Sequence, residues 1–147
     1  MERLKALITG ASGLIGSIAI KQLGDKYAFS SLSRSEVKGI PHLSADIATS
    51  VEAILPAFTG IHSVLHLAAG IVPRTALYDW PATMRSTIQG TLNVYEAARL
   101  AGVKRVVFFS SGMTQLAYEW DPESVYGILA NGPDEQIPKS WPVLEVD

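Results

Sequence analysis

The sequence predicts an α/β fold, a doubly wound parallel sheet in strand order 3-2-1-4-5, with ligand at the carboxyl ends of strands one and four, where the order reverses. Three observations carry this expectation. Apolar runs of strand length alternate with stretches of helical period, the mark of βαβ units. The first run leads into ITGASGLIG (8–16), with glycines three apart where a helix should begin. The fifth run, RVVFFSS (105–111), is apolar at consecutive positions, as befits a strand covered on both faces.

Each element has a local reason. LKALIT (4–9) is the first strand, and Leu14, Ile15, Ile18, Ala19 and Leu23 form a helical stripe that Gly24 terminates. YAFSSLS (27–33) reads as the second strand and HLSA (42–45) as a short third. Thr49, with Glu52 three residues on, makes a capping box for a helix of Val51, Ile54, Leu55 and Phe58, which Gly60 closes. SVLHLAA (63–69) is the fourth strand. Pro81 opens a long helix with Met84, Ile88, Leu92, Tyr95 and the Arg99 stem along one face, ending at Gly102. RVVFFSS is the fifth strand. From Met113 to Asp147 there are four prolines, seven acids and one lysine, with no sustained period. The expected division is a ligand-binding domain over 1–112 and a proline-rich acidic tail or lid over 113–147.

Composition narrows the function. At 147 residues the chain suits one core, and a formal charge of −2 without runs of like charge offers no footprint for nucleic acid or an anionic membrane. The absence of cysteine excludes a disulfide framework and a thiolate nucleophile and argues against a soft-metal site, so no metal is expected. MERLKALITG places charges in its first five residues before a brief apolar segment, unlike a secretory signal or a spanning helix; a cytoplasmic location is the expectation.

The glycine turn is the strongest chemical signal. Thr9 ends a strand and Gly10 permits a tight turn. Gly13 lets backbone approach a pyrophosphate, and Gly16 sits one turn into the helix, where a Cβ would hold it off the sheet. The helix N-terminus offers unpaired N–H groups to the anion. A phosphate loop of the nucleotide-triphosphate type needs a Gly-Lys-Ser/Thr ending, and none follows Gly10.

The spacing is G-x-x-G-x-x-G. TGASGLIG, SLSR (31–34), the Asp46-Ile47 pair, HLAA (66–69) and QGTLNVYEAARLAGVKRVVFFSS (89–111) together resemble the extended short-chain dehydrogenase/reductases, in particular the NAD-dependent epimerase/dehydratase group. The resemblance covers about residues 3 to 115. It implies a Rossmann-like sheet and a cofactor pyrophosphate held by Gly10, Ala11, Ser12, Gly13, Leu14, Ile15 and Gly16. It further implies an adenosine ribose read by Ser33 and Arg34, an adenine beside Asp46 and Ile47, and a second ribose flanked by Leu67, Ala68 and Ala69. NAD binders place an acid at the end of the second strand; Ser33 and Arg34 suit a 2′-phosphate, so NADP is expected to be preferred over NAD.

Departures from the family pattern bear on activity. Thr87 replaces the asparagine usual three residues before the Gly-Thr pair, leaving a hydroxyl to brace the backbone. Gly112 stands where the family has its catalytic serine or threonine, with Ser111 and Thr114 as the hydroxyls able to substitute. The family's Tyr-x-x-x-Lys pair, in which lysine lowers the phenol pKa, is absent: Tyr95, Tyr118 and Tyr126 are followed four residues on by Arg99, Pro122 and Ala130. In related sequences that pair follows a stretch much like KSWPVLEVD, so the sequence is expected to stop just short of its catalytic helix. His42, His62 and His66 are scattered, and His66 reads as a packing and hydrogen-bonding residue.

Two functions follow. One is the cofactor-binding part of an oxidoreductase or epimerase acting on a sugar or nucleotide sugar by hydride transfer, inactive as this chain alone. The other is a non-catalytic dinucleotide-binding sensor or scaffold. An uncovered fifth strand and the Pro81 helix point to self-association, with a homo-oligomer expected.

Overall fold

The computed structural model describes residues 3–70 and 80–111. Packing divides the chain after Phe109, and the sheet belongs to the unit before that point. Five parallel strands, β1 (Leu4–Thr9), β2 (Tyr27–Ser33), β3 (His42–Ser44), β4 (Ser63–His66) and β5 (Arg105–Phe108), lie in the order β3-β2-β1-β4-β5. Predicted strands three, four and five are each shortened at the carboxyl end. The reversal at β1 is the consequence of crossovers running to opposite sides, and it opens a crevice above Thr9 and His66, which are register partners.

Two apolar layers hold the sheet. On one face Leu7, Leu32 and Val64 pack with Ile54 and Phe58 and with Val94, Ala97 and Ala98 of the long helix. On the other, Ala6, Ile8 and Phe29 pack against Ala19, Ile20 and Leu23 of helix α1 (Leu14–Leu23). Phe58 is fully buried, and its removal would cost about 3–5 kcal/mol.

Small residues, more than large ones, seat the helices. A Cβ on Gly16 would stand 2.6 Å from Ala11 Cα, so what Gly16 admits is the strand-to-helix turn itself rather than the sheet as predicted. That contact sets the helix rotation: the inward face runs Gly16, Ala19, Ile20, Leu23, and the predicted stripe members Leu14, Ile15 and Ile18 are exposed, Leu14 by 77%. The Pro81 helix repeats the lesson. It runs as α3 (Trp80–Thr83), a π-helical turn (Met84–Gln89) and α4 (Gly90–Leu100). Its buried face is Gly90, Asn93, Val94, Ala97 and Ala98, while the large apolar stripe of Ile88, Leu92 and Tyr95 faces outward.

Helix α2 (Val51–Ile54) continues as a 3-10 turn (Leu55–Phe58), and Gly60 reverses the chain with φ +70°. Its cap falls one residue later than predicted: Ser50 Oγ accepts from Ala53 N at 3.3 Å, while Thr49 Oγ1 donates to Asp46 O at 2.7 Å. Glu52, whose carboxylate accepts from its own backbone N–H and from Ser50, has its pKa held below the ordinary carboxylate value. β5 departs from expectation too. Val107, Phe108 and Phe109 are exposed, because among the described residues helices cover it on one face only and no strand pairs its outer edge. No helix among the described residues is long and apolar enough to cross a membrane.

One buried amide ties the long helix to the loop after β3. Asn93 Nδ2 donates to Ile47 O at 2.8 Å, and Gln89 Nε2 donates to Asn93 Oδ1 at 2.8 Å. Asn93→Ala leaves the Ile47 carbonyl buried without its donor. We expect a loss of about 1–3 kcal/mol in unfolding free energy, read as a lower urea midpoint at unchanged slope.

Candidate functional site

The crevice at the strand carboxyl ends is a cleft of about 470 Å³. Its floor begins with the glycine turn. Gly10 has φ +73°, and a Cβ there would meet Ala68 N at 2.8 Å and the Leu67 carbonyl carbon at 2.9 Å. Only glycine satisfies both the backbone angle and the closeness to the end of β4. Gly13 N donates to Gly10 O at 3.1 Å, closing the turn, and Gly13 then caps α1 without any side-chain acceptor. The first N–H groups of α1 are thus left for a ligand at the positive end of the helix.

A hydrogen-bonded chain fixes the turn against β4 and α4. Thr9 Oγ1 and His66 Nδ1 are 2.6 Å apart, Ala68 N donates to Thr9 Oγ1 at 3.2 Å, and His66 Nε2 lies 3.0 Å from Thr91 Oγ1. The His66 ring packs at 5.6 Å from that of Phe108 and is 1% exposed. Burial pushes its pKa down to about 4, so the link is neutral at ordinary pH. His66 is a packing and hydrogen-bonding residue, as the sequence reading has it.

The predicted residues divide clearly. Gly10, Ser12, Gly13, Ser33, Arg34, Asp46, Ile47, Leu67, Ala68 and Ala69 all line the cleft. Ala11, Leu14, Ile15 and Gly16 do not: Ala11 is buried against the sheet, Gly16 against the turn, and the Leu14 and Ile15 side chains point to solvent. Thr87 stands just behind the wall and accepts from Gly70 N at 3.3 Å, so the hydroxyl does brace backbone there. Asp46 Oδ1 accepts from Ala48 N at 2.9 Å, shaping the loop after β3, and Ser33 Oγ donates to Ser35 O at 2.8 Å. Ser111 is exposed beyond β5, and Thr114 lies outside the described residues.

Sequence reasoning missed the opposite wall. Gly70, Ala82, Thr83, Arg85 and Ser86 line the cleft as well. A Cβ at Gly70 would fall 1.9 Å from Ser86 Oγ, so that glycine admits the π-helical turn, and Ser86 Oγ donates to Ala82 O at 2.7 Å. Gly70 directly after HLAA was the available signal. A second cavity of about 400 Å³, lined by Lys5, Ala28, Ser30, His42 and Pro56 among others, lies toward the amino ends of the strands and has no glycine turn. Among the described residues no cluster of three metal-ligating side chains occurs.

Residues 6–128 match the family model described as NAD dependent epimerase/dehydratase family. The chain belongs to that family. It is 32% identical over 111 residues to an L-arabinose 1-dehydrogenase (NAD(P)(+)) of Haloferax volcanii, covering 76% of this chain and 42% of that protein. It is 33% identical over 122 residues to an NAD-dependent glucose-6-phosphate dehydrogenase of the same organism, with coverages of 77% and 45%. Among solved structures, uronate dehydrogenase from Agrobacterium tumefaciens, a point mutant complexed with NAD, superposes with a TM-score of 0.65 at 25% identity, over 75% of this chain and 42% of that one. The chain thus spans less than half the length of these relatives, and its Rossmann-like sheet is the part they share.

The buried imidazole makes stability pH-dependent. With a folded pKa near 4 and an ordinary value of 6.5, the unfolded chain takes up the proton first as pH falls. The contribution is therefore complete above about pH 6.5 and is lost as pH drops toward 4. Between pH 7.5 and 5 we expect about 2 kcal/mol to disappear from the unfolding free energy of wild type and to be missing from the pH profile of His66→Gln, by urea titration at each pH.

Proposed function

We propose that this chain forms the cofactor-binding half of an oxidoreductase that acts on a sugar or nucleotide sugar by hydride transfer, with NADP preferred. The observation that carries the reading is the cradle itself: a glycine turn pressed against Ala68, opening onto a helix N-terminus that has no side-chain cap, in a cleft. The residues fit the group. Leu14 and Ile15 contribute backbone N–H groups toward a pyrophosphate, and the side chains of Ser33 and Arg34 stand at the adenosine end. Asp46, Ile47, Leu67, Ala68 and Ala69 border the bases and riboses. When bound, the nicotinamide supplies a two-electron hydride acceptor or donor. The relatives named above act on sugars, and a further solved neighbour is MoeE5 in complex with UDP-glucose and NAD, at 28% identity and a TM-score of 0.66.

Turnover also needs an acid or base at the substrate oxygen. Ser111 and Thr114 are the hydroxyls we assign beside it, but no tyrosine in the sequence has a lysine four residues on. That absence favours a second reading for the chain by itself, a module that binds a dinucleotide without chemistry. Steady-state assays with NADPH, NADH and sugar substrates should give no oxidation by the 147-residue chain. Turnover would show that the missing pair is not required.

Cofactor choice rests on Arg34, which lines the cleft beside Ser33 and Ser35, while Asp46 spends its carboxylate on the Ala48 N–H. NADP should bind more tightly than NAD by about tenfold, and Arg34→Ala should abolish the difference. Calorimetric titration of both proteins with both cofactors decides it; equal wild-type affinities would refute the preference.

Self-association is proposed through the outward stripe of α4 and the open edge of β5. Leu92 is 63% exposed on that stripe, with Ile88 and Tyr95 beside it. β5 carries no proline, so little guards its edge. Light scattering after size exclusion should give a mass above that of one chain, and Leu92→Glu should lower it. A clean wild-type monomer would remove the proposal.

A further inference from the structure

We propose that Arg85 is a second anion-binding residue of the cleft, contacting the cofactor pyrophosphate from the wall opposite the glycine turn; this rests on the dinucleotide reading above. Arg85 lies on the six-residue π-helical turn and lines the same cleft as Gly10, Ser12 and Gly13. Its neighbours pin that turn in place: Ser86 sits against Gly70, and Thr87 Oγ1 accepts the Gly70 N–H. Arg85 itself makes no ion pair, the one among the described residues being Arg99 with Glu96.

Sheet order separates the roles of the two cleft arginines. Arg34 follows β2, on one side of β1; Gly70, which anchors the Arg85 turn, follows β4, on the other. The segments that carry the two arginines therefore lie on opposite sides of the glycine turn. Arg34 is assigned to the adenosine end, so that among the other described residues the pyrophosphate has the partial charge at the start of α1, about half an elementary charge. A diphosphate diester carries two negative charges. Among the described residues the only carboxylate lining the cleft, Asp46, follows β3 and is bonded to the Ala48 N–H. Arg85 supplies the missing cation, and a guanidinium suits phosphate oxygens by its planar fork of donors.

The test is calorimetric titration of the full chain, wild type, Arg85→Gln and Arg85→Lys, with NADP and with NAD at low and high salt. Arg85→Gln should weaken both cofactors by a similar factor, about tenfold, and flatten the salt dependence; Arg85→Lys should recover part of the loss. Because the side chain is exposed, folding is expected to be unaffected, and circular dichroism of each variant checks this. A loss confined to NADP would overturn the assignment by moving Arg85 to the 2′-phosphate, and unchanged affinities would overturn it outright. Failure of the wild type to bind either cofactor would instead refute the dinucleotide reading itself.

Discussion

The structure depends on how closely two strand ends can approach. At the carboxyl end of β1, Gly10 passes the backbone of Leu67 and Ala68 with no room for a Cβ, and Thr9 beneath it is bonded to His66 and to the Ala68 N–H. That contact lies where the strand order reverses, so the gap that defines the cleft is set by backbone against backbone. A side chain at Gly10 would part β1 from β4 or twist the turn, and either change would misdirect the N–H groups of α1. Binding geometry and fold stability therefore rest on the same atoms.

What was legible in the sequence was whatever is local. The glycine spacing, strand lengths and the alternation of strand with helix are properties of short segments, and they lead directly to the β3-β2-β1-β4-β5 sheet and to the turn at its centre. Helix rotation was not legible, because large apolar residues draw the eye while small ones determine how near a helix can lie. Leu14 and Ile18 look like core and are not; Gly16 and Ala97 look neutral and are the seats. Hydrogen bonds across 46 and 57 residues, Asn93 to Ile47 and Thr9 to His66, leave no periodic trace. A motif reads as a string, whereas the side chains of the glycine segment alternate between cleft, core and solvent. Arg85 escaped notice for the converse reason: nothing around it in sequence marks it, and only the π-helical turn held on Gly70 brings it to the cleft.

The described residues concentrate one task. Floor, walls and rim of the cleft all come from the sheet's carboxyl ends and from the segment that follows β4, while no acid–base pair of the family type occurs in the sequence. The exposed apolar residues of β5 and of α4 lie outside the cleft, and covering them by another surface leaves the cleft residues undisturbed.

Charge is separated from architecture in the same way. The one titratable group buried at the junction, His66, is kept neutral by burial and spends both ring nitrogens on threonine hydroxyls. Had that ring been charged, it would have attracted an anion at the cost of desolvating an imidazolium inside the core. Instead the floor offers neutral N–H groups and the positive end of a helix, and among the described lining residues full positive charge enters only at the solvent-exposed rim, on Arg34 and Arg85. Guanidinium groups in water are mobile and hydrated, so substituting them leaves the packing beneath intact. The core thus places the rim without depending on it.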